Sequence, residues 1–211
     1  MDAKQTTRLA AFSDGVFAIA ITLLVLDLKV PPATTSLLTG LVAQWPVYVA
    51  YVLSFGFILI MWMNHHWMLE HIVRVDSTFF LLNGLLLLGI SVVPFPTSMV
   101  AEYVFTSEQN VAAAVYNGWF LLIAVLFGRM WSYASGRSRL VGGDDRQANL
   151  AQVITDRYRW GVPGYSLAFV LSVVWAPAGL LLNLLLAIFY ALPREMEVRW
   201  LDRSHRSEPR L

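Results

Sequence analysis

The chain has 211 residues, 57% of them hydrophobic, with 14% charged, no cysteine and a formal net charge of +1. Soluble domains carry about 25% charged residues, so this composition, with a mean hydropathy of +0.59, excludes an ordinary water-soluble globule and points to an integral membrane protein. It also excludes a disulfide scaffold, and the near-neutral charge gives no reason to expect a nucleic-acid partner.

The first predicted element is the most informative. It runs from about Leu9 to Val30 and is stopped by Pro31-Pro32. It is apolar enough to enter a bilayer, yet Arg8, Ser13 and Asp14 sit near one end. A charge at the bilayer centre costs at least ~2.5–3.5 kcal/mol on insertion scales, so such a residue faces protein or water and marks a candidate site. The run ends in Asp27, Lys29 and two prolines without a small-residue cleavage site, unlike a cleaved signal peptide.

On a wheel at 100° per residue, Ile19, Leu26 and Arg8 point within about 20° of one direction, flanked by Thr22 and Leu23. Periodicity alone leaves two readings of this face. It is a helix-packing stripe, or it lines a pore in which apolar rings gate by dewetting. Asp14 points elsewhere. A buried carboxylate needs a partner, and the plain expectation is that Asp14 and Arg8 brace helix packing, with a direct ion site at Asp14 as the alternative.

The second predicted span covers about 47–63, with Pro46 suited to a first helical turn. At its end Asn64-His65-His66-Trp67 is followed by Glu70 and His71. His66 and Glu70 share a face at i, i+4, which permits a metal reading, but no second pair completes a ligand set. A hydrogen-bond network with the polar end of the first helix is the expectation instead. The third span covers about 77–100, kinked or ended by Pro94 and Pro96, and the fourth 109–128. Asn83, Asn117 and Asn183 fall inside spans, where amides commonly bond across helices.

An inner loop from Arg129 to Arg159 follows. Asp144 with Gln147 resembles a capping box, and Val153, Ile154 and Arg157 suggest a short amphipathic helix. Trp160 to Leu192 then carries no charge. As one helix it would be ~50 Å long, too long for a ~30 Å hydrocarbon core. Ala176-Pro177-Ala178-Gly179 reads as a turn, giving two short spans, 162–175 and 177–192. The tail after Pro193 is charged and mixed in sign and reads as a solvated or frayed helix end.

Six spans with both termini cytoplasmic place Lys4, Arg8, Arg74, Arg129, Arg137, Arg139, Arg146, Arg157, Arg159, Arg194, Arg199, Arg203, Arg206 and Arg210 inside. Only Lys29 of the 15 Lys and Arg lies outside, as the positive-inside rule requires. Five spans would put the Arg-rich tail outside. The expected fold is all-α, one six-helix transmembrane unit over residues 1–211. There is no glycine-rich phosphate loop, nucleophile elbow, HExxH motif, arginine-repeat voltage sensor or TVGYG filter.

Arg8-x-x-x-Phe12-Ser13-Asp14 resembles the RxxxFSD signature of the transmembrane protein 175 family. The likeness continues through Gly15-Val-Phe-Ala-Ile19-Ala-Ile-Thr22-Leu-Leu-Val-Leu26, and His65, His66, Asn83 and Pro94-Phe95 also look like features of its prokaryotic branch. The resemblance implies a leak-type, potassium-permeable channel in the cell membrane, a homotetramer whose first helices line the pore. Family pore positions five, nine and twelve residues after the motif aspartate fall on Ile19, Leu23 and Leu26, with Thr22 as a polar ring. Arg8, Phe12, Ser13, Asp14, His65, His66 and Asn83 would form the motif network. No cofactor, metal, catalytic residue or protein partner beyond further copies of itself is implied. The permeant ion would be potassium, with other monovalent cations as candidates. Two competing readings remain, a secondary transporter or proton pathway through Asp14 and His65/His66, and a membrane enzyme holding metal at His66 and Glu70.

Overall fold

The computed structural model describes residues 3–136, 140–141, 155–156 and 158–191, and its regular elements are helical. Helix α1 spans Ala3–Leu23 and tightens into a 3-10 turn over Leu24–Asp27. A short α2 (Leu37–Ala43) precedes the long α3 (Trp45–Glu70). Helix α4 (Ser77–Ser91) and α5 (Pro94–Tyr103) form one broken rod. Then come α6 (Gln109–Ser135), α7 (Gly161–Val174) and α8 (Ala176–Ala191). The capping-box pair Asp144 and Gln147, the residues Val153, Ile154 and Arg157, and the tail after Pro193 lie outside the described residues.

Among the described residues, four stretches are long and apolar enough to cross a membrane: Gln5–Asp27, Trp45–Glu70, Ser77–Tyr103 and Gln109–Ser135. Helices α7 and α8 are apolar but shorter, 14 and 16 residues. They rise only ~21 and ~24 Å at about 1.5 Å per residue. The outward faces of the bundle carry Leu81, Leu88, Val170, Val173, Leu181 and Leu185, all exposed. Apolar surface on this scale is at home in lipid and not in water.

Several boundaries differ from the sequence expectation. The first helix does not continue to Val30. Its last turn is 3-10 and Leu28 is already extended, so the chain leaves the helix before Pro31-Pro32 is reached. Helix α3 runs on past Met63 to Glu70, carrying His65 and His66 on the helix, and α6 runs past Arg129 to Ser135. Three- and four-residue spacing of buried groups, such as Ile123, Phe127, Met130 and Ala134, keeps α6 packed beyond its charge-free stretch.

The proline break falls where expected. Pro94 and Pro96 cannot donate to the carbonyls four residues back, and the rod opens at Val92–Val93 before restarting with Pro94 in the first turn of α5. The last hairpin turns at Trp175 (φ −152°, ψ 100°), one residue earlier than Ala176. Ala176-Pro177-Ala178-Gly179 is the first turn of α8, where proline is tolerated because its N–H has no intrahelical partner.

Asn110 on α6 clasps this hairpin. Its Oδ1 accepts the Ala176 N–H at 2.9 Å and its Nδ2 donates to the Val174 carbonyl at 3.3 Å. Deeper in the bundle, Asn117 donates to Ser172 Oγ at 2.6 Å and accepts from Asn183 Nδ2. At the opposite end Asp76 caps α4 by accepting the Phe79 N–H at 2.8 Å and takes the Tyr133 hydroxyl at 2.7 Å. Close by, Val73 N–H donates to Leu140 O at 2.8 Å.

Candidate functional site

Helix α1 is split lengthwise by burial. Leu9, Ser13, Phe17, Ala20 and Leu24 are buried against the chain's own bundle, a face repeating every three to four residues. The opposite face is open. Ile19 is 60% exposed, Leu23 40% and Leu26 69%. Thr22 is exposed and donates its hydroxyl to the Ile19 carbonyl at 2.9 Å. The four positions derived from the wheel therefore share the side of α1 that the chain leaves uncovered.

Leu26 needs a correction in register. It lies on the 3-10 turn, where each residue advances about 120° and side chains at i and i+3 eclipse. Leu23 and Leu26 thus stack over one another, and Leu26 sits roughly 60° from the direction an unbroken α-helix would give it. Asp27 is held at this end by Ser98 of α5, whose hydroxyl donates at 2.6 Å.

The motif residues divide into two sets. Ser13 and Asp14 face the bundle. Ser13 Oγ donates to the Leu9 carbonyl at 2.9 Å and accepts from Asn83 Nδ2 at 3.1 Å. Asn83 Oδ1 meets His65 Nε2 at 2.7 Å. Since the Asn83 amide nitrogen serves Ser13, its oxygen faces the imidazole and Nε2 carries the shared proton. Ser13, Asn83 and His65 are each buried and come from α1, α4 and α3. The His65 ring lies 5.3 Å from Phe17 and 6.4 Å from Phe127, centroid to centroid. Asp14 accepts the Trp62 indole N–H at 2.8 Å. Trp62 carried no signal in the sequence reading; its place one turn before His66 on α3 was the available clue.

Arg8 and Phe12 take no part in this network. Both are exposed, Phe12 at 65%. Six residues separate Arg8 from Asp14, about 120° on the wheel, and the guanidinium makes no ion pair with that carboxylate. The expectation that the two brace the packing together is corrected: Asp14 does so with Trp62, and Arg8 points away.

His66 and Glu70 approach to 3.5 Å on the outside of α3, both substantially exposed. Among the described residues no group of three or more His, Cys, Asp or Glu could hold a metal. The Ser54–Thr97 hydroxyl pair at 2.8 Å links α3 to α5 near Tyr116, and no sequence pattern marks it.

Comparison with known proteins identifies a family. A family model described as the endosomal/lysosomal potassium channel TMEM175 matches residues 8–94, which include the motif, His65 and Asn83. A potassium channel of Chamaesiphon minutus is 45% identical over 195 residues, 90% of this chain and 95% of that one. One of Streptomyces collinus is 44% identical over 191 residues, 89% and 92% of the two chains. The crystal structure of a lysosomal potassium-selective channel TMEM175 homolog from Chamaesiphon minutus superposes with a TM-score of 0.81 at 43% identity, covering 89% of this chain and 97% of that one. These relatives are ion channels and not enzymes. The apolar helices and these matches together make the chain a multi-pass membrane protein that belongs to the TMEM175 family.

Proposed function

We propose that the protein is a leak-type, potassium-permeable cation channel. It assembles as a homotetramer of six-span subunits, residues 1–211 forming one unit with both termini cytoplasmic. Four copies of α1 surround the axis. Ile19, Leu23 and Leu26 form apolar rings and Thr22 a polar one, in place of a carbonyl filter. The permeant ion is potassium, with other monovalent cations as candidates, and no cofactor is needed.

The observation that carries this reading is the two-sided burial of α1. Its apolar stripe at Ile19, Leu23 and Leu26 stays exposed in the single chain, while the face behind it is locked into the bundle by Ser13–Asn83–His65 and Asp14–Trp62. One helix cannot enclose a path; several copies related by an axis can. An apolar ring narrower than a hydrated ion sheds water and closes, while a wider or more polar ring stays wet. The names of the bacterial relatives support potassium as the permeant ion.

A transporter or proton pathway through Asp14 and His65/His66 has less behind it. No titratable residue lies between Gly15 and Leu26. Asp14 and His65 are engaged with Trp62 and Asn83, away from the open stripe, and His66 faces outward with Glu70.

Single-channel recording of the purified protein in bilayers, in potassium, sodium and caesium, tests the proposal. Unitary potassium currents are expected. Ile19→Asn should raise potassium and sodium currents together and weaken discrimination between them. Wild-type conductance and permeability ratios in assembled Ile19→Asn tetramers would remove the pore from α1.

A further inference from the structure

Arg8, Phe12, Gly15, Ile19 and Thr22 are spaced four, three, four and three residues apart, the 3.5-residue repeat that keeps one stripe facing a common axis. All five are exposed. The stripe therefore extends two turns beyond Ile19 toward the N-terminal end. Phe12 stands one heptad before Ile19 and is the more exposed of the two. It belongs to the signature motif yet bonds to nothing in the Ser13–Asn83–His65 network.

Arg8 marks the water-facing end of this face. A guanidinium is permanently charged and its cost in hydrocarbon sends it to water, so the N-terminal end of the stripe reaches solution. Beside it a groove of about 680 Å³ lies open between α1 and α4, bordered by Gln5, Arg8, Phe12, Ser77 and Phe80. Gly15 fits the same picture. A Cβ there would meet nothing within 4 Å, so neither packing within the chain nor a left-handed backbone calls for glycine, and mid-helix glycine is less stable than alanine.

We infer that Phe12 forms a second apolar ring at the inner mouth of the conduction path, separated from the Ile19 ring by a wide chamber at Gly15. This rests on the reading of α1 as the pore helix. The four Gly15 positions leave room for a cation to keep its water between two apolar rings, and Phe12 sets access to that chamber from the inside.

The chain has no cysteine, so single cysteines report without background. Ile19→Cys, Phe12→Cys and Gly15→Cys are placed in bilayers, with Val170→Cys on the outer face of α7 as the control. A positively charged, membrane-impermeant methanethiosulfonate is applied from the inner side while potassium current is recorded. Expected is irreversible loss of most of the current at Phe12→Cys, faster than at Ile19→Cys, with no change at Val170→Cys. If Phe12→Cys does not assemble, loss of current at Gly15→Cys supports the chamber. Reaction at Ile19→Cys with inert Phe12→Cys and Gly15→Cys in assembled tetramers overturns this inference and leaves the pore helix standing. An inert Ile19→Cys overturns both.

Discussion

Replacing Asn83 with leucine removes the centre of the chain that ties α1 to α3 and α4. The side chain is 1% exposed, so water cannot substitute. Two bonds are lost, to Ser13 and His65. They are unequal. Ser13 keeps its bond to the Leu9 carbonyl and loses only an incoming donor. Interhelical bonds in membrane proteins average about 0.6 kcal/mol. His65 loses more. Its Nδ1 has no hydrogen-bond partner in the structure, so without Asn83 neither ring nitrogen is satisfied, and a stranded buried donor costs ~1–3 kcal/mol. The expected destabilisation is about 2–4 kcal/mol, a fall in melting temperature on the order of 4–16 °C for a chain of this size. Fluorescence-detected size-exclusion chromatography after heating reads this directly. His65→Phe added to Asn83→Leu should recover part of the loss, because replacing both partners with apolar groups is far cheaper than stranding one. The two single variants should then couple by at least ~1 kcal/mol. Strictly additive losses, or an Asn83→Leu protein as stable as wild type, would refute the account of the network.

The other predictions follow from single contacts. Asp14→Ala removes the part-buried carboxylate that accepts the Trp62 N–H and should lose about 1–3 kcal/mol, while the exposed Arg8→Ala should stay within ~0.5 kcal/mol; equal melting shifts in the two would put Arg8 back into the packing. A Cβ on Gly179 would run into Ser172 Oγ and come within 2.7 Å of the Ala168 carbonyl, so Gly179→Ala should cost ~1–3 kcal/mol by overpacking the α7–α8 hairpin, and a monodisperse variant with an unchanged melting curve would show that the hairpin relaxes freely. Burial works against the Asp76 charge, but bonds from the Phe79 N–H, the Tyr133 hydroxyl and the Thr78 N–H outweigh it and hold the carboxyl below its ordinary value. Its stabilising contribution is therefore complete above the ordinary carboxylate range, near pH 4, and is lost as pH falls through the depressed value; Asp76→Asn should flatten this acid limb in melts from pH 7 to pH 3, and an identical limb in both proteins would assign the acid sensitivity elsewhere. Light scattering in mild detergent should give four chains per particle, and a monomer with intact unitary currents would rule out a shared axis.

Much of the architecture is written in composition and periodicity, because a bilayer imposes a severe filter. A helix must be apolar over some twenty residues, so long charge-free runs declare themselves, and Pro94 and Pro96 announce the break in the third rod because proline cannot complete the ladder. The apolar stripe of α1 is legible for the same reason, although periodicity does not say whether it packs or stays open. One face of a helix repeats every 3.6 residues whatever lies beside it, and the motif around it is distinctive enough to point to a family. What periodicity does not contain is the identity of the neighbour. That Asp14 meets Trp62 instead of Arg8, that Asn110 clasps the Trp175 turn, and that Ser13, Asn83 and His65 join in one chain depend on how three or four helices lie against one another. These are contacts between residues tens of positions apart, such as Ser13 and Asn83, which local sequence does not encode. The last turn of α1 shows the limit most clearly. Leu23 through Asp27 read as a continuing α-helix, yet Ser98 of a distant helix holds Asp27 and the turn is tightened to 3-10. The wheel predicted the face, and only the packed bundle decided where each leucine on it points.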